Sequence, residues 1–90
     1  MKNKDLRDSL SDLHSELKKI KQIDKNSSEI LKKLSHDIER ILENSGEIPT
    51  SHHQSLLKSL EVSVERFEVS HPNLTFLMNR VIKALSDMGI

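Results

Sequence analysis

FEVSHPNL, Phe67 to Leu74, decides whether the second half of this chain forms one helix or two. Counted from Leu60, the core positions 60, 64, 67, 71, 74, 78, 81, 85 and 88 keep a 4-3 alternation, and His71 stands at one of them. An unbroken helix would run for about 38 residues, roughly 57 Å. Pro72 opposes it. Inside a helix a proline costs about 3 kcal/mol and removes the bond to the carbonyl four residues back, here that of Glu68. It also pushes the preceding residue, His71, away from the helical region. Ser70 offers an N-cap with Pro72 in the first turn, where its missing donor does no harm. The reading favours a break or sharp corner with Ser70, His71 and Pro72 as the hinge. One long helix kinked at Pro72 is the alternative.

Apolar periodicity extends outward from this joint in both directions. The last segment, about 71–88, carries Leu74, Leu77, Met78, Val81, Ile82, Leu85 and Met88 on one face, with Asn79, Arg80, Lys83 and Asp87 opposite. The segment before it, about 51–69, has a stripe of Leu56, Leu57, Leu60, Val64 and Phe67, with Ser51 and Gln54 in capping-box positions. A helix over about 27–44 places Ile30, Leu31, Leu34, Ile38, Ile41 and Leu42 within roughly 120° of its circumference. Asn26 or Ser27 caps it, with Glu29 suited to a capping box, and Gly46 and Pro49 stop it. The first helix, about 4–21, shows a narrow seam of Leu6, Leu10, Leu13, Leu17 and Ile20, with Ile23 to its side. The expected architecture is all-α: a small antiparallel bundle of four helices in a single domain over 1–90.

Composition excludes several functions. The chain has no cysteine, so disulfides, thiolate catalysis and cysteine zinc sites are absent. Fourteen basic side chains balance fourteen acidic ones, which removes the net-charge argument for nucleic acid or membrane binding. The opening MKNKDLRDSL has no apolar run of the secretory type, and no segment approaches the roughly 20 apolar residues of a membrane span. A cytoplasmic protein is expected. A chain of 90 residues also hides only about 60–65 % of its unfolded surface, so its core is thin.

Few side chains point to chemistry. Of five histidines, His52, His53 and His71 are the metal-ligand candidates, with Glu68 or Asp37 to complete a site. Adjacent His52 and His53 diverge by about 100° on a helix, which opposes chelation of one ion. The plainer reading puts both in the first turn of the third helix and makes His71 a partly buried hinge residue bonded to a backbone group. His14 and His36 lie beside or opposite their stripes and are expected in solvent. No serine sits in a nucleophile elbow or glycine-rich loop, so no catalytic residue and no cofactor are assigned. KKIKQIDK, Lys18 to Lys25, could touch phosphates, but lysines beside an apolar seam more often shield it with their stems. Val62, Val69 and Phe76 lie off the main stripes and are the interface candidates; thin helical cores are often completed by self-association.

SHHQSLLKSLEVSVERFEVSHPNL, followed by the terminal RVIKALSDMGI, resembles the small bacterial proteins grouped as domain-of-unknown-function family 4404. The N-terminal LHSELKKI and the central LSHDIERILENSG fit the same pattern, so the resemblance covers nearly the whole chain. Its recognisable pieces are His53 with Leu56 and Leu57, Glu65 to Glu68, Ser70 to Pro72, and Met88-Gly89-Ile90. None is a catalytic motif. The resemblance implies a bacterial cytoplasmic chain of about this length, and it brings no activity, ligand or established site. Family members are more acidic and alanine-rich, and the bulkier Phe76 and Met78 here suggest a wider interface.

The resulting expectation is a non-enzymatic helical module that forms a homo-oligomer, a dimer being favoured, and binds a further protein. Two alternatives belong to other classes: a histidine-based metal-binding or stress-related accessory protein, and a weak nucleic-acid binder working through Lys18 to Lys25.

Overall fold

The computed structural model describes residues 2–20, 24–43 and 50–89. The described residues form four helices: α1 (Lys2–Lys19), α2 (Lys25–Glu43), α3 (Thr50–Phe67) and α4 (Pro72–Asp87). No strand occurs among the described residues. The expected stops at Gly46 and Pro49, together with Lys21 and Ile23, fall outside them.

The hinge is a break, not a kink. Glu68 N–H bonds the Val64 carbonyl at 2.9 Å and His71 N–H bonds Phe67 at 2.8 Å, which carries the helical path one turn past α3. His71 then takes φ −137° and ψ 70°, and Pro72 opens α4. The longest dimension is 35 Å, well short of the roughly 57 Å a continuous helix would need.

Three expected helix caps require correction. Proline fixes its predecessor in extended backbone, so the N-cap of α4 is His71 and not Ser70, and no side chain caps it. The Ser70 hydroxyl lies 3.0 Å from His71 Nδ1 instead. Neither Asn26 nor Ser27 caps α2: Asp24 does, accepting from Ser27 N–H at 3.3 Å and Ser27 Oγ at 2.6 Å. A carboxylate is the stronger acceptor for the free N–H groups of a first turn. The Ser27 hydroxyl bond, then its backbone bond and the Arg66 charge hold the Asp24 carboxyl below the usual carboxylate range. Ser51 lies inside α3, which has already begun at Thr50. At the far end, Gly89 with φ +83° turns the chain out of α4, and its N–H bonds the Ser86 carbonyl at 3.0 Å.

Each helix packs on two neighbours: α1 on α2 and α4, and α3 on α2 and α4. The ring is antiparallel. Arg7 Nη1 donates to the Leu42 carbonyl at 3.2 Å while His14 pairs with Glu39, so α1 and α2 run in opposite directions. Ser27 meets Arg66 and Lys33 meets Ser59, which sets the same relation for α2 and α3.

The stripes close on one another as helical periodicity requires. Leu10, Leu13, Leu34, Ile38, Leu56, Leu60, Met78 and Val81 are fully buried in one cluster drawn from all four helices. Ile20, Ile30, Leu42, Leu57, Val64, Leu77, Ile82 and Met88 pack around it, half-buried. Each fully buried leucine contributes about 1.5–3 kcal/mol of transfer free energy, the main favourable term in a chain this short.

Candidate functional site

The face shared by α2 and α3 carries the densest polar organisation. Asp37, only 4 % exposed, accepts from Ser59 Oγ at 2.8 Å, Lys33 Nζ at 3.2 Å and Arg40 Nη2 at 3.3 Å. Ser63 Oγ in turn donates to the Ser59 carbonyl at 2.7 Å. The local sequence accounts for it. Lys33, Asp37 and Arg40 sit at i, i+4 and i+7 along one side of α2, and Ser55, Ser59 and Ser63 recur every fourth residue of α3. Small side chains allow close approach of the helices and bring a hydroxyl to the carboxylate. Lys33 Nζ also donates to Ser59 Oγ at 3.4 Å, which closes the cluster of Lys33, Asp37 and Ser59. The arrangement is a clamp between helices. About two turns beyond Ser59, Arg66 donates to Ser27 Oγ and to Asp24 Oδ2, both at 3.1 Å, and fixes the other end of the same helix pair.

The histidines do not converge. His53 is 7 % exposed with Nε2 unpartnered among the described residues, and the buried Nδ1 of half-buried His52 is likewise unpartnered. Burial, then the charge of His52, lowers the His53 pKa below the ordinary histidine value. His71 is half-buried with its ring edge-on to Phe67 at 5.6 Å, and its imidazole bonds the Ser70 side chain and not a backbone group. His36 is exposed as expected, whereas His14 is only 17 % exposed and pairs with Glu39 at 3.1 Å. His14 borders α2 closely enough for the neighbouring helix to cover it, which its position within α1 alone does not reveal. Asp37, one suggested ligand, is committed to its clamp, and Glu68 lies exposed in the turn. No group of three or more potential metal-ligating side chains forms among the described residues.

Among the described residues, the large exposed apolar side chains are Val62 at 46 %, Val69 at 90 % and Phe76 at 65 %. Val62 and Val69 stand seven residues apart along α3 and the turn that follows it, and Phe76 lies on a different helix. Val62 borders α2 across a shallow groove of about 210 Å³ lined by Ile30, Lys33, Ser55, Lys58 and Ser59. Val69 lies beyond the end of α3, and Phe76 stands on α4. A second groove of about 280 Å³, between α1 and α4, is lined by Asp5, Ser9, Arg80, Lys83, Ala84 and Asp87. Both are smaller than the roughly 300–1,000 Å³ of a usual small-molecule site. Lys18 and Lys19 end α1 in solvent and Lys25 begins α2, so the lysine-rich stretch divides between two helices. No helix among the described residues is long and apolar enough to cross a membrane.

Fold and surface together define a small antiparallel four-helix protein with a polar clamp between two helices and separate exposed apolar residues. The family described as a domain of unknown function, DUF4404, matches residues 6–90, and the chain belongs to it. Neither the curated proteins nor the solved structures contain a match to the chain.

Proposed function

We propose that this chain is a non-enzymatic module of the bacterial cytoplasm that self-associates, a dimer being favoured, and offers a helix face to another protein. The observation that carries the reading is the exposure of Val62 and Phe76 on α3 and α4, and of Val69 in the turn between them, while the other large apolar residues of those helices are packed. A thin core gains by covering such residues with a second chain. Light scattering behind a sizing column, over a concentration series, is expected to approach twice the 10.3 kDa chain mass. A mass that stays at one chain throughout overturns self-association.

The unpartnered nitrogens of His52 and His53 favour a second reading, histidine-based metal binding. Native mass spectrometry with zinc and with nickel tests it. Stoichiometric metal supports that reading, and its absence at both metals ends it.

A further inference from the structure

The outward side of α3, continued by the turn that follows it, has a second stripe, separate from the one that faces the core. Ser51, Ser55, Lys58, Val62, Glu65 and Val69 follow one another at spacings of 4, 3, 4, 3 and 4. Any stripe along a helix keeps this spacing; this one is marked by exposed Val62 and Val69 with the opposite charges of Lys58 and Glu65 on either side of Val62. All of them are exposed except Ser55, which is half-buried. Lys58 and Glu65 form no ion pair with the described residues. Being seven apart, they are too distant along the helix to pair with one another.

We propose that this seam is the dimer interface, occupied by α3 of a second copy running antiparallel about a two-fold axis at Val62. The proposal rests on the self-association reading above and specifies its partner surface.

The order of residues is self-complementary about that axis. Val62 meets Val62 of the other copy. Lys58 meets Glu65, and the symmetry repeats the pair on the other side. Ser55 meets Val69, a small residue opposite an apolar one that is 90 % exposed in the free chain. A two-fold axis makes every contact reciprocal, so one favourable charge pair becomes two. A parallel arrangement would set Lys58 on Lys58 and Glu65 on Glu65, and like charges in register are unfavourable.

Flanking α2 joins the same surface: half-buried Ile30 faces Val62 across the groove of about 210 Å³. Phe76 lacks this complementarity. Its neighbours three and four residues away on α4 are Pro72, Asn73, Asn79 and Arg80, with no acid among them.

The test uses the full chain in four forms: unaltered, Lys58→Glu, Glu65→Lys and the double exchange. Sedimentation equilibrium gives the dimer dissociation constant, and circular dichroism checks that each form folds. Each single exchange replaces two attractive contacts with two repulsive ones and should weaken the dimer about tenfold or more. The double exchange restores opposite charges across the axis and should return the constant to within about threefold of the unaltered chain. A double exchange as weak as the singles overturns the pairing while leaving a dimer by another face. A dimer indifferent to all three variants does the same. An unaltered chain that stays monomeric overturns both this pairing and self-association.

Discussion

The Ser59 hydroxyl of α3 lies 2.8 Å from the Asp37 carboxylate of α2, joining residues 22 positions apart at a site nearly closed to water. A buried carboxylate is tolerable only when its lone pairs are satisfied, and here Ser59, Lys33 and Arg40 satisfy them. The cations are about half exposed, so their Coulombic share is screened and the short hydroxyl bond matters most. Asp37→Ala strands the buried Ser59 hydroxyl and opens a gap between the helices. It should cost about 2 kcal/mol in urea unfolding. Asp37→Asn, which keeps an acceptor for Ser59, should cost less than the alanine variant.

Acid should weaken the bundle through His53. Burial, with the charge of His52 second, depresses its folded pKa below the ordinary value of about 6.5. The folded chain therefore prefers the neutral ring while the unfolded chain takes up a proton. The contribution is complete above the unfolded value and is lost as pH falls through it toward the folded value. Urea midpoints for the unaltered chain should drop between pH 7.5 and 5.5. His53→Gln, which has no titrating ring, should show a smaller drop over the same interval. Equal slopes for the two proteins would remove His53 as the cause.

Pro72→Ala asks whether proline or packing makes the corner. Phe67, Leu74 and Met78 are buried on either side of it, so packing should hold α4 against α3 without the proline. The expected result is a loss of about 0.4–1 kcal/mol from the freer unfolded chain. Small-angle scattering should report unchanged dimensions. A longest dimension rising from 35 Å toward the roughly 57 Å of a continuous helix would show that the proline alone prevents fusion.

The helical seams were legible because helical periodicity is local. Leu6, Leu10, Leu13 and Leu17 declare their shared face without reference to any other segment, and each is buried. The joint was legible for the same reason, since Pro72 acts on its immediate neighbours. The cap positions were less so. Asp24, Asn26 and Ser27 are all capable N-caps, and the choice of Asp24 is reinforced by Arg66 reaching across from α3. The clamp left a faint trace, in the i, i+4, i+7 spacing of Lys33, Asp37 and Arg40 and the four-residue serine repeat, but neither pattern names the other as its partner.

By itself the sequence determined four amphipathic helices, the hinge at Ser70 to Pro72, and which large apolar residues fall off the core stripes. All of these follow from spacing within a single segment. Only the tertiary structure decided the cyclic order of the helices and the burial of Asp37 and His53. It also decided that Val62 borders α2 while Phe76 stands on α4. Those outcomes depend on which faces meet across the bundle, and contacts such as Arg66 with Asp24, 42 residues apart, are properties of pairs that no local pattern contains.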